Sequence, residues 1–164
     1  MEKSTIAIVP GTFDPITLGH LDIIKRASKL FSSVIVGVAE SKLKKPFFSL
    51  DSRVELVKLA VGQMVPDLNV QVKPFSNMLV DFAHENNAEV VVKGLRAMTD
   101  FEYEFQQGAL NNEIDPNLEN VYIMSAPEYM YVSSSVVREM RSLDADISKL
   151  VPKCVIDYYK DHSF

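Results

Sequence analysis

The 164-residue sequence lacks several features that mark particular classes of protein. Its one cysteine, Cys154, excludes an internal disulfide, fits a reducing compartment and is expected in the core. The three histidines are far apart and no C-x-x-C pair occurs, so we expect no metal site built from protein ligands. No apolar run is long enough to cross a membrane, and Pro10 and Gly11 interrupt the one near the N-terminus. We therefore expect a cytoplasmic protein without a membrane partner.

The sequence also lacks an excess of basic residues. Its formal net charge of −5 argues against a surface that coats nucleic acid. Hydrophobic residues make up 47% of the chain and charged residues 24%, as in ordinary soluble proteins. Because no repeat, low-complexity stretch or linker is apparent, residues 1–164 are expected to form one domain.

Strand-like and helix-like segments alternate along the chain. The strand-like runs are Ile6–Val9, Ser33–Ala39, Asn69–Val72, Glu89–Lys93 and Val121–Met124. The helical segments are expected near 17–30, 49–64, 78–85, 99–111, 133–143 and from Pro152 onward. The apolar stripe of the second is predicted at Val54, Val57, Val61 and Met64, and Gly108 is expected to weaken the end of the fourth. This alternation predicts an α/β fold, a doubly wound five-stranded parallel sheet in the order 3-2-1-4-5.

The first 20 residues combine a strand, a break at Pro10-Gly11 and a helix that restarts at Thr17. Open backbone N–H groups and the positive end of the helix dipole make such a turn an anion site. His20 lies in the first helical turn, where it can donate a hydrogen bond to the anion. The turn contains neither G-x-G-x-x-G nor G-x-x-x-x-G-K, which excludes the two common phosphate loops.

Chemistry-bearing residues follow the carboxyl end of every predicted strand. They lie at Gly11–His20, Lys42–Lys45, Asn77–Leu79, Gly94–Arg96 and Tyr129–Ser135. Ligands of an open parallel sheet bind at that edge, at the point where the strand order reverses, so the five loops should face one crevice. Five cations are expected around it and would favour a ligand with several phosphates: Lys44, Lys45, Lys93, Arg96 and Arg138.

The block G-T-F-D-P-I-T-L-G-H at Gly11–His20 resembles the H/T-x-G-H signature of the nucleotidyltransferase superfamily. The form with threonine first is similar to that of the bacterial phosphopantetheine adenylyltransferases. Two further blocks resemble the same family in register, Lys93–Ala97 with Asp100–Glu104 and Tyr129–Arg138. The resemblance covers nearly the whole chain and implies a Rossmann-like nucleotidyltransferase fold.

The resemblance implies an enzyme that transfers the adenylyl group of ATP to 4′-phosphopantetheine. The products would be dephospho-coenzyme A and pyrophosphate, a step of coenzyme A biosynthesis. It further implies Mg²⁺ carried on the ATP phosphates, a homohexamer, and feedback by coenzyme A on the site.

The resemblance also assigns roles to residues. His20 and Lys44 would be catalytic, and the acceptor substrate would contact Thr12, Lys44, Leu79 and Lys93. ATP would contact Thr12, Phe13, His20, Gly94, Leu95, Arg96, Glu104, Tyr129, Met130, Tyr131, Val132, Ser133, Ser134 and Ser135. Lys93 departs from the pattern, since the family usually has arginine there and lysine lacks its bidentate geometry.

Two other functions remain open at this point. The chain could be another nucleotidyltransferase of the same fold, acting on nicotinamide mononucleotide or a phosphocholine-like acceptor. It could also be a non-catalytic nucleotide sensor, which would bind ATP without turnover. For His20 itself, the alternative to catalysis is a structural residue that bonds back to the Thr17 turn.

Overall fold

A five-stranded parallel sheet forms the centre of the computed structural model, which describes residues 4–41, 45–64 and 69–162. The strands are β1 Ile6–Gly11, β2 Ser33–Ala39, β3 Val70–Phe75, β4 Val90–Leu95 and β5 Glu119–Met124. Their order is β3-β2-β1-β4-β5, which confirms the prediction. The helices are α1 Leu18–Leu30, α2 Leu50–Met64, α3 Leu79–Glu85, α4 Met98–Ile114, α5 Ser134–Ser142 and α6 Lys153–Asp161.

The sheet is covered on both faces because alternate residues of its central strands point to opposite sides. Ala7 and Val9 of β1 face a core that also contains buried residues of α1, α2, α5 and α6. Ile8 faces the opposite side, where it packs with Val80 and Phe82 of α3. Cys154 is buried in the first core, as expected. No helix in the described ranges is long and apolar enough to span a membrane.

The predicted strands Ile6–Val9 and Asn69–Val72 end before a nearby proline, but both prolines lie inside the observed strands. Pro74 belongs to β3, an edge strand, where a residue without an N–H costs no ladder bond on the open side. Pro10 belongs to β1 and is in register with Gly37 of β2. It is tolerated in a central strand because β1 and β4 pair only at Ala7–Val90 and Ile8–Val91. Beyond Ile8 the two strands separate, and the crevice opens there.

Two predictions about helices were wrong in part. The α2 stripe is buried at Val57 and Val61, but Met64 is 46% exposed and the other buried positions are Arg53, Leu56 and Ala60. A search for apolar residues at helical spacing could not have predicted that Arg53 is one of the buried positions. Helix α4 continues past Gly108 to Ile114. The glycine has a packing role instead, because a Cβ at this position would collide with Tyr122 Oη of β5.

Gly94 brings β4 close to α1, which gives a testable consequence. A Cβ at Gly94 would lie 2.8 Å from Ile23 Cγ1, a distance that the packed side chain cannot relieve without moving. We expect Gly94→Ala to lower the free energy of unfolding by about 1–3 kcal/mol in urea titrations.

Gly62→Ala is the matched control for Gly94→Ala. Gly62 lies in α2, and a Cβ added there would meet no atom of the described residues within 4 Å. Alanine should therefore raise stability by roughly 0.5–1 kcal/mol at this position. Equal effects of the two substitutions would contradict the proposed close approach at Gly94.

Candidate active site

A cavity of about 930 Å³ opens where β1 and β4 separate. Its wall includes residues from the loops that follow all five strands, as the sheet order predicts. Thirteen of the residues implied by the family resemblance line it: Thr12, Phe13, His20, Leu79, Lys93, Gly94, Arg96, Glu104, Tyr129, Val132, Ser133, Ser134 and Ser135.

The remaining implied residues lie elsewhere. Leu95 is 5% exposed and packs in the interior, so its side chain is not part of the cavity wall. Met130 and Tyr131 are 50% and 63% exposed and do not line the cavity either. Lys44 lies outside the described residues, as does Lys42, so their roles stay predictions.

His20 is fixed by the turn that precedes it. Its Nδ1 accepts a hydrogen bond from the Thr17 backbone N–H at 3.0 Å, and its own N–H donates to Thr17 Oγ1 at 3.3 Å. This reciprocal capping requires Nδ1 to be unprotonated, so the neutral ring carries its proton on Nε2. Burial, helped by the Arg96 charge, lowers the pKa of His20 to about 4. The ring lines the cavity as a neutral hydrogen-bond donor.

The two explanations offered for His20 are therefore compatible. One ring nitrogen serves the turn, and the other is left for a ligand. The ring also meets Phe13 edge to face, with centroids 5.0 Å apart. The turn itself offers fewer open amides than expected, because Leu18 N–H donates to the Leu150 carbonyl at 2.9 Å and His20 N–H is capped.

The cavity is less basic than the sequence suggests. Within the described residues, its wall carries four cations and four carboxylates: Lys45, Lys93, Arg96 and Arg138 with Asp14, Glu40, Asp100 and Glu104. Three of these cations are paired. Lys93 Nζ lies 3.1 Å from Glu104 Oε2, Arg96 Nε 2.9 Å from Asp100 Oδ2 and Arg138 Nη1 3.5 Å from Asp14 Oδ2. The expectation of a basic crevice overlooked the carboxylates beside three of these cations. Asp100 is only four residues from Arg96, whereas Glu104 and Asp14 are brought to Lys93 and Arg138 by the fold.

The segment after β5 is tied to the loops that follow β4 and β1. Arg96 Nη1 donates to the Val132 carbonyl at 3.1 Å, and Ser134 Oγ donates to the Pro15 carbonyl at 2.8 Å. Ser133 caps α5 by accepting from the Val136 N–H at 3.1 Å. These bonds hold the N-terminus of α5 against the loop that follows β1.

Two buried charged residues at the site were not found from the sequence. Asp14 is 5% exposed and accepts from the Phe47 and Phe48 N–H groups, both at 2.8 Å. Arg53 is 1% exposed and donates to backbone carbonyls around the cavity. Asp14 stands inside the Gly11–His20 block, which was a usable signal, whereas nothing near Arg53 distinguishes it from a surface arginine of a helix.

Comparison with known proteins identifies the family. The cytidylyltransferase-like family model matches residues 8–140. A phosphopantetheine adenylyltransferase of Moorella thermoacetica is 52% identical over 147 residues, 90% of each chain. That of Campylobacter hominis is 49% identical over 157 residues, 96% of this chain and 97% of the relative. The chain belongs to the phosphopantetheine adenylyltransferase family.

A solved structure supports the same fold. A Vibrio parahaemolyticus protein assigned as a nicotinate-nucleotide adenylyltransferase aligns with a TM-score of 0.72, covering 96% of this chain and 93% of its own. The sequence identity of 21% means that this likeness shows the nucleotidyltransferase fold alone. Membership of the phosphopantetheine adenylyltransferase family rests on the far closer relatives.

The low pKa of His20 predicts how stability depends on pH. In the unfolded chain the group has its ordinary pKa of 6.5, whereas in the fold it is about 4. Between these values the unfolded state binds a proton that the folded state does not, so this group's contribution is present above pH 6.5 and is lost as pH falls toward 4. Urea titrations at about pH 7 and pH 5 should therefore show His20 stabilising the fold more at pH 7.

The control for the pH experiment is His20→Gln, because glutamine can still accept the Thr17 N–H bond without titrating. The stability advantage of the wild type over this variant should shrink at the lower pH. An advantage that is equal at both pH values would contradict the low pKa.

Proposed function

We propose that this chain transfers the adenylyl group of ATP to 4′-phosphopantetheine, releasing pyrophosphate and forming dephospho-coenzyme A. The observation that carries the proposal is near-complete alignment with phosphopantetheine adenylyltransferases at about half identity, with the Gly11–His20 block at the cavity. This reaction is a step of coenzyme A biosynthesis.

The reaction needs alignment and hydrogen-bond donors rather than a base. An oxygen of the acceptor phosphate attacks the α-phosphorus of ATP, and the bond from that phosphorus to the pyrophosphate oxygen breaks. The attacking phosphate is already ionised at pH 7, so no proton has to be removed. His20 suits such a reaction, because its Nδ1 is occupied and its Nε2 can only donate.

In the proposed arrangement the two substrates would occupy different parts of the cavity. On the side of β1, β2 and β3, Thr12 and Leu79 would hold the acceptor, together with Lys44 by family resemblance. Lys93 of the adjoining strand β4 would complete this group. On the side of β4, β5 and α5, the ATP residues include Gly94, Arg96 and the Tyr129–Ser135 segment. His20 and Phe13 also line the cavity, and in this arrangement they would contact the phosphates where the two substrates meet.

The described residues suit a Mg²⁺ ion that is carried by the nucleotide. They contain no group of three or more His, Cys, Asp or Glu side chains that could hold a metal. Three cavity carboxylates are also engaged by cations, which leaves the phosphates as the main ligands for such an ion. When bound, Mg²⁺ would neutralise phosphate charge during the transfer.

The family resemblance also motivates proposals about assembly and control. We propose a cytoplasmic homohexamer in which coenzyme A competes for the cavity. Large apolar side chains on α4 are exposed, which is compatible with burial between subunits: Phe101, Tyr103, Phe105, Leu110 and Ile114. Light scattering after size exclusion would measure the assembly.

The function is tested by incubating the protein with ATP, Mg²⁺ and 4′-phosphopantetheine and measuring dephospho-coenzyme A by mass spectrometry. We expect His20→Ala to lower kcat by roughly 100- to 1,000-fold, the usual cost of losing one transition-state donor. ATP affinity should change little, because the donor acts on charge that develops only during transfer.

The His20→Ala variant should also lose some thermal stability, since the buried Thr17 N–H loses its acceptor. Melting temperature, ATP affinity and kcat are therefore measured on one preparation. A folded variant that binds ATP and turns over near the wild-type rate would overturn the proposed role. A wild type that binds ATP but forms no product would favour the nucleotide sensor.

Lys93 tests the acceptor side of the site. Lys93→Arg should be tolerated or mildly favourable, because arginine is usual in the family and can bind phosphate through two donors while keeping the Glu104 pair. Lys93→Met is the matched comparison, and its Michaelis constant for the acceptor should rise more than that for ATP. Steady-state kinetics measures both, and an inactive Lys93→Arg would exclude Lys93 from acceptor binding as proposed.

A further inference from the structure

A buried guanidinium lies behind the cavity, outside the machinery described above. Arg53, in the first turn of α2, is 1% exposed although arginine is almost never fully buried without partners. Its Nη1 donates to the Thr12 carbonyl at 2.7 Å and to the Ala39 carbonyl at 2.6 Å. Its Nη2 donates to the Glu40 carbonyl at 3.2 Å, and its Nε donates to the Phe48 carbonyl at 3.1 Å.

The acceptors of these bonds belong to separate parts of the chain. Thr12 follows β1, Ala39 and Glu40 end β2 and begin the next loop, and Phe48 precedes α2. A buried carbonyl without a donor is costly, and Arg53 supplies a donor to each of these four. One planar group with five donors supplies what three chain segments need.

A second buried charge completes the arrangement. Asp14 accepts from the Phe47 and Phe48 N–H groups. The residues just before α2 are therefore held by both charges, and the end of β2 is held by Arg53. Burial lowers the pKa of Arg53, and the nearby Asp14 and Glu40 charges oppose that effect. The guanidinium is thus a charged, compensated part of the interior.

We propose that Arg53 is a positioning residue of the active site, which fixes the backbone of Thr12 and of the β2 end where the acceptor phosphate binds. Arg53 does not line the cavity. It would act through its hydrogen bonds to the carbonyls of three residues that do: Thr12, Ala39 and Glu40. The opposite, ATP-binding side is held by other bonds, from Arg96 to Val132 and from Ser134 to Pro15. The proposal rests on the proposed function for its assignment of the two sides.

Arg53→Lys is the test, since lysine keeps the charge but cannot reach several carbonyls at once. At a temperature where the variant is folded, we expect kcat/KM for 4′-phosphopantetheine to fall roughly 10- to 100-fold, the scale of effect that small misplacements produce. The dissociation constant of ATP, measured by calorimetry, should change by less than about threefold, because its side of the cavity keeps its own bonds.

Arg26→Lys is the matched control. Arg26 also donates to a backbone carbonyl, that of Met124 at 2.7 Å, but it is on the outer side of α1 and does not line the cavity. Its kinetics should remain those of the wild type. An Arg53→Lys variant that melts earlier, yet shows normal kcat/KM for the acceptor when folded, would overturn the proposal, and so would equal losses for acceptor and ATP.

Hydrogen exchange provides a second readout that needs no activity. Positioning predicts faster amide exchange in Arg53→Lys around residues 11–13 and 39–41, with the core strands unchanged. Unchanged exchange at both places would overturn the proposal. If Arg53→Lys does not fold, Arg53→Gln at low temperature is measured in the same way. A wild type that makes no dephospho-coenzyme A would refute the function alone, and the exchange result would still decide the role of Arg53.

Discussion

The cavity depends on side chains that bond the backbone groups of the loops beyond the point where β1 and β4 stop pairing. Past Ile8 and Val91 the two strands no longer pair, and loops with buried backbone groups follow them. Side chains satisfy these groups: Arg53 bonds the Thr12 carbonyl, Arg138 the Asp14 carbonyl at 2.6 Å and Ser134 the Pro15 carbonyl. A gap in a parallel sheet is thereby made into a rigid cavity.

The need to satisfy these backbone groups explains why most cations at the cavity are already engaged by the protein. Arg96 and Arg138 bond backbone carbonyls and carboxylates of the protein before any ligand arrives. Donors that are already oriented cost no reorganisation when charge develops on a phosphate, which is the main requirement of phosphoryl and adenylyl transfer. His20 follows the same logic, because the Thr17 turn fixes its tautomer and burial keeps it neutral.

The sequence was sufficient for the sheet order and for most of the cavity wall, because both follow from apolar periodicity and from the rule that ligands meet the carboxyl ends of strands. It misplaced Pro10 and Pro74, since the tolerance of a strand for proline depends on whether a neighbour pairs there. It missed Arg53 and the pairing of Lys93 with Glu104, which join residues distant in sequence. Local sequence patterns show which residues are apolar, whereas the contacts of Arg53 and of Lys93 form only when the chain has folded.

Phe13 shows how the backbone bonds reach the reacting groups. Its φ of 50° lies in the left-handed region, which is unusual for a bulky residue and costs of order 1–3 kcal/mol. The carbonyls on either side of it are both held, that of Thr12 by Arg53 and that of Asp14 by Arg138. Arg53 thus holds the peptide group just before Phe13, and Arg138 holds the one that follows Asp14. The Phe13 ring is buried between these points and meets the His20 ring edge to face. The two arginines are thus linked to His20 through a strained residue, although the hydrogen bonds of the His20 ring in the described part of the chain go to Thr17.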